Sequence, residues 1–95
     1  PLDRGSAAKV FAAYEHIDTP FNPAELDRIL TTRLAESVGE REVELASVST
    51  PIHSANGALL AVLSISGPVE RLKPSPAQMW GTELLRAADA LMAAI

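Results

Sequence analysis

LASVSTPIHSANGALLAVLSISGP, residues Leu45 to Pro68, decides the fold. β-Branched and apolar residues flank Asn56-Gly57, the strongest short-range hairpin signal, and predict two antiparallel strands joined by a two-residue turn. Counted outward from that turn, Ser66 falls opposite Ser47 and Ser64 opposite Ser49. Side chains alternate along a strand, so these four serines share one face with Leu45 and Leu60. The reverse face carries Val48, Thr50 and Ile52 against Ala61, Leu63 and Ile65, and reads as core. A four-residue turn keeps that division, whereas a three-residue turn would mix the serines of one strand with the core residues of the other.

A sheet face meant only for water carries charge, and none occurs between Leu45 and Pro68. A face meant only for packing has little use for four hydroxyls. Hydroxyls on an otherwise apolar surface suit a small polar ligand, which needs a few donors in a mostly apolar pocket. The competing reading is a half-exposed sheet face wetted by small residues.

Upstream, Leu34 to Val38 reads as a further strand, and Gly39-Glu40-Arg41-Glu42 as a solvated turn into the strand that starts near Val43. Asn22-Pro23-Ala24-Glu25 has the form of a capping box, opening a short helix with Leu26, Ile29 and Leu30 on one side and Asp27 and Arg28 on the other. Thr31 and Thr32 weaken it, and Glu15 to Pro20 connects it to an earlier helix. That first helix takes Ser6 as N-cap and Val10, Phe11 and Tyr14 as its buried stripe. Gly5 allows close backbone approach, and the free amides of the first turn suit an anion such as a carboxylate. Downstream, Val69 to Pro74 is a connection and Ser75-Pro76-Ala77-Gln78 a second capping box. It opens the longest helix, Pro76 to Ala94, with Trp80, Leu84, Ala88, Leu91 and Ile95 as apolar stripe and Leu85 and Met92 widening it. Glu83, Arg86 and Asp89 lie opposite, spaced to pair with one another across single turns.

Ninety-five residues make one domain or a piece of one, and a hydrophobic share of 47% is that of a globular chain. No apolar run is long enough to cross a membrane. The absence of cysteine excludes disulfides, thiolate metal sites and a cysteine nucleophile, and fits a cytoplasmic location. A net charge of -4, with eight Lys and Arg scattered singly, argues against this chain gripping a nucleic-acid backbone. No Gly-x-Ser-x-Gly elbow surrounds Ser64 or Ser66, and only His16 and His53 could serve as base. His53 lies beside the turn, far from Ser64 and Ser66, and reads as solvated. His16-x-Asp18 is a weak metal pair. No phosphate loop or other metal motif occurs, so the chain is read as no enzyme, with no cofactor and no metal.

Two separated blocks resemble one family. PLDRGSAAKVFAAY, Pro1 to Tyr14, is similar to the entry of the effector-binding domain of the IclR family of bacterial transcriptional regulators. SVGEREVELASVSTPIHSANGALLAVLSISGPVERL, Ser37 to Leu72, resembles that domain's later block, ending in Ser-x-Ser-Gly-Pro and an arginine. The resemblance spans nearly the whole chain except about Glu15 to Arg33. It implies an α+β fold, a GAF-like antiparallel sheet flanked by helices, present as a partial domain lacking its first strands. It also implies a small organic or aromatic acid effector. That acid would be held by Gly5, Ser6 and Ala7 at the start of the first helix and by Ser37, Leu45, Ser47, Ser64 and Ser66 on the opposing strands. Neutral hydrogen bonds of about 0.5–1.5 kcal/mol each imply micromolar to millimolar affinity. Further implications are a homo-dimer or tetramer and contact with DNA only through a winged helix-turn-helix outside this chain. A GAF-like oligomerisation scaffold with no functional ligand is the alternative. Asp3 stands where the family has histidine, the family's Gly-Tyr or Gly-Trp before Leu34 is missing, and the segment from Leu30 to Leu34 is shorter than the family's.

Overall fold

The structure, a computed structural model, describes residues 4–16, 19–40 and 42–95. Helices α1 (Ser6–Glu15) and α2 (Pro23–Thr32) precede strands β1 (Ala35–Val38), β2 (Leu45–His53) and β3 (Leu59–Pro68). A 3-10 turn (Val69–Leu72) then leads into α3 (Pro76–Ala94). The α+β fold with an antiparallel sheet flanked by helices is thus the one observed, and the sheet order is β1-β2-β3.

Local chemistry sets the helix ends. The Asn22 side chain accepts the Ala24 amide at 2.8 Å, and that of Ser75 accepts the Gln78 amide at 3.0 Å, each with proline in the first helical position. The box at Asn22 is only half closed, because Glu25 bonds to Lys9 rather than back to its own cap. α2 ends at Thr32, and the hydroxyls of Thr31 and Thr32 donate back to the carbonyls of Asp27 and Arg28 at 3.2 and 3.0 Å, a back-bonding that slightly destabilises a helix.

In the hairpin Ser47 pairs with Ser66, Ser49 with Ser64 and Ile52 with Ala61, as expected. The turn itself differs. Ser54 N–H donates to the Ala58 carbonyl at 2.9 Å, so the loop is Ala55-Asn56-Gly57, with Gly57 at φ 87°. Three residues alone would exchange the faces. A bulge at Leu60 prevents this, since Ile52 pairs with Ala61 and His53 with Leu59.

The sheet lies between two helical layers. On the serine face α1 and α2 pack with Val10, Ala13, Ile29 and Ala35 as the buried centre and Tyr14, Leu26 and Val62 around it. Phe11, expected in the buried stripe, is exposed instead, while Lys9 is buried. Burial pushes the Tyr14 phenol above its ordinary 10.0, and nearby Arg33 offsets part of that. The other face buries Val48, Thr50 and Ile52 beneath α3. β3 is an edge strand, so Leu63 and Ile65 are only half-buried and Ala61 is exposed.

The buried side of α3 is Gly81, Leu84 and Ala88, rotated from the expected stripe, and Trp80, Leu91 and Ile95 are exposed at 40, 44 and 67%. Gly81 permits this seating, because a Cβ there would lie 2.8 Å from the Leu34 side chain. Asp89 pairs with Arg33, the C-cap of α2, at 2.9 Å, not with a neighbour on its own helix.

Thr50 carries an inner tension, since its hydroxyl is buried with no partner among the described residues. Thr50→Val keeps the shape and removes the unsatisfied group. It is expected to raise stability by about 1 kcal/mol in urea denaturation, and an unchanged or lower midpoint would refute that account.

Candidate ligand site

The site begins with a glycine. Gly5 is the N-cap of α1 at φ 95°, ψ 158°, a conformation closed to residues with a Cβ. Ser6, expected as the cap, is therefore the first helical residue, and its side chain is released for another task. The Ser6 hydroxyl lies 2.6 Å from that of Ser47 and 2.7 Å from that of Ser49. Ser49 continues to Ser64 at 2.6 Å. A chain of four hydroxyls thus joins the start of α1 to two strands, with Ser6 and Ser49 buried within it.

A cavity of about 560 Å³ opens beside this chain. Gly5, Ser6, Ala7, Ser37, Leu45, Ser47, Ser64 and Ser66, the eight residues that the resemblance assigns to the effector, all line it, whereas Ser49 of the serine face does not. Ser37, Ser47 and Ser66 form a row across the three strands, and Ser64 stands two residues further along β3. Sequence reasoning missed Arg4, Phe11 and Glu42, which also line the cavity. No sequence signal set Phe11 apart, because its spacing with Val10 and Tyr14 fits a buried stripe.

The charged turn has a structural task rather than a purely solvated one. One Glu40 oxygen accepts the Gly5 amide at 3.3 Å and the other meets Lys9 Nζ at 2.5 Å. Lys9 also donates to Glu25 of α2 at 3.0 Å and to the Glu36 carbonyl of β1 at 2.8 Å, with the Phe21 ring 5.8 Å from its Nζ. A buried lysine therefore does lie behind the cavity, neutralised by two carboxylates. The Gly5 amide, one of those expected to be free for an anion, is taken by Glu40.

His53 is not solvated. It is half-buried, its ring meets Tyr14 edge-on at 5.0 Å, and its amide donates to the Met92 sulfur at 3.3 Å. Asp18 and Asp3 lie outside the described residues, and among the described residues no three His, Cys, Asp or Glu converge on a metal position. No helix among them is long and apolar enough to cross a membrane. A second hollow, about 470 Å³, lies between α2, β1 and the start of α3.

The family model described as bacterial transcriptional regulator IclR C-terminal matches residues 18–93. The chain belongs to that family, whose members are regulator domains and not a class of enzyme. The Pro1 to Tyr14 block precedes the match. Among solved structures, the C-terminal domain of the E. coli regulator KdgR aligns with a TM-score of 0.77 and 24% identity over 98% of this chain and 70% of its own. The Thermotoga maritima IclR protein aligns at 0.77 and 22% over 97% of this chain and 46% of its own. The inducer-binding domain of the transcription factor PobR from Acinetobacter, a double mutant complexed with 3-hydroxybenzoic acid, aligns at 0.78 and 20% over 100% and 67%. The chain thus spans less than half of the T. maritima protein and about two thirds of the isolated domains. No curated protein matches it.

Lys9 ties three elements together, and its neutral replacement tests how firmly. Lys9→Met keeps the apolar stem and leaves Glu25 and Glu40 without their cation. Because both carboxylates are about one-third exposed, the expected loss is about 1–3 kcal/mol rather than that of a fully buried pair. Urea denaturation measures it, and an unchanged midpoint would show the network to be idle.

Proposed function

We propose that this chain is the sensing and oligomerising portion of an IclR-type transcriptional regulator, and that its cavity takes a small organic or aromatic acid. The observation that carries this reading is the meeting of the α1 opening with serine hydroxyls from three strands around one hollow. First-turn amides have no partner inside a helix, and together with hydroxyls they complement a carboxylate. Phe11, Ala7 and Leu45 supply the apolar wall that the rest of such a ligand needs. The 3-hydroxybenzoic acid in complex with the double mutant of the PobR inducer-binding domain is an acid of this class.

In the cell the reading places the parent regulator in the cytoplasm as a homo-dimer or tetramer. DNA contact belongs to a domain outside this chain, and the effector acts by linkage, favouring one spacing of two DNA-binding modules over another. The reading assigns the cavity binding rather than catalysis, its serines being hydrogen-bonded to one another and not to a histidine or carboxylate among the described residues. One observation favours the alternative of a scaffold without a ligand. Four of the hydroxyls already bond to one another, as they would in a cavity that holds nothing.

Thermal melting against a panel of small carboxylates separates the two. At ligand concentrations about 100-fold above Kd, the sensor gains roughly 2.7 kcal/mol, read as a rise of several degrees. The double variant Ser64→Ala, Ser66→Ala should melt like the wild type alone and lose that rise. Absence of any shift in the wild type, or the same shift in the double variant, would leave the scaffold.

A further inference from the structure

The opening of α1 already holds an anion. Glu40, from the connection between β1 and β2, places one carboxylate oxygen 3.3 Å from the Gly5 amide and the other 2.5 Å from Lys9 Nζ. Gly5 lines the cavity and Glu40 does not. The glutamate therefore reaches the helix opening from behind, at the place where the proposed function puts the carboxylate of the ligand.

The two ends of this bridge differ in strength. Lys9 has three protons and spends them on Glu25, Glu40 and the Glu36 carbonyl, at 3.0, 2.5 and 2.8 Å. The Gly5 contact is longer than the side-chain bonds that cap α2 and α3, at 2.8 and 3.0 Å. Charge adds to the contrast. Arg4 and Lys9 are set against Glu25, Glu40 and Glu42 around the opening, so a ligand carboxylate would be a fourth negative charge against two positive ones. The Glu40 side chain is 34% exposed, so its free oxygen can turn to water while Lys9 keeps hold of the other.

We infer that Glu40 and the acid compete for the opening of α1, which makes Glu40 a positioning residue that holds down the affinity of the site. An arriving carboxylate takes the Gly5 amide, and Glu40 falls back on Lys9. Occupancy is thereby felt outside the lining of the cavity, in the connection between β1 and β2. The inference rests on the sensing function proposed above.

Two variants separate competition from a general change of charge. Glu40→Gln keeps the length of the side chain and removes its charge. Glu25→Gln does the same to the other carboxylate on Lys9, which makes no contact with Gly5. Each takes one carboxylate from Lys9, so both should lose stability to a similar degree in urea. Calorimetric titration with benzoate is expected to show about fivefold tighter binding by Glu40→Gln than by the wild type, the effect of one charge at a helix opening. For Glu25→Gln the change should stay within about twofold, since that charge lies further from the opening and is screened. In the wild type itself, the carboxyl carbon resonance of Glu40 should move on saturation with benzoate while that of Glu25 stays. No rise in Glu40→Gln, an equal rise in both variants, or a Glu40 resonance that benzoate leaves in place overturns the inference and leaves the sensing function standing. Failure of benzoate and of every other carboxylate in the melting panel to bind either the wild type or Glu40→Gln overturns the sensing function and the inference with it.

Discussion

Two buried hydroxyls, Ser6 and Ser49, have no water to turn to and must find partners in the protein. That requirement seats the first helix on the sheet. To satisfy it, α1 must start close above β2, which the Gly5 backbone and the small side chains of Ala8, Ala12 and Ala13 allow. It also demands that Ser47, Ser49 and Ser64 share a face, so the register of the hairpin and the position of the helix are one condition rather than two. Hydrogen bonds in such a chain polarise one another, and the cost of losing a link exceeds that of one bond.

Charge is arranged around this neutral centre instead of within it. Glu40 spans the Gly5 amide and Lys9, and Lys9 reaches α2 and β1, so the positive opening of α1 is partly satisfied from outside the cavity. The cavity keeps the hydroxyls, while Arg4 and Glu42 contribute opposite charges to its lining.

Much of this was legible in the residues, for identifiable reasons. Alternation across Asn56-Gly57 yields the strand pairing and the shared serine face, and the Ser75 and Asn22 caps yield two helix starts. What escaped depends on packing at a distance. Ser6 looks like a cap because serine favours that position, but only the fold shows β2 hydroxyls waiting for it. Lys9 looks like a surface residue until Glu25 and Glu40, far apart in sequence, arrive beside it. The rotation of α3 follows from the close seat at Gly81 over Leu34, which helical periodicity cannot express. The length of the turn was misread while the pairing was right, because the bulge at Leu60 cancels the additional residue.

That cancellation has a practical side. The tip from Ser54 to Ala58 is insulated from the rest of the hairpin by an irregularity that already reconciles two different spacings. Lengthening or replacing the tip alters a region the ladder has stopped reading. A peptide tag or a fluorescent reporter could be spliced there without disturbing the serines at the opposite end.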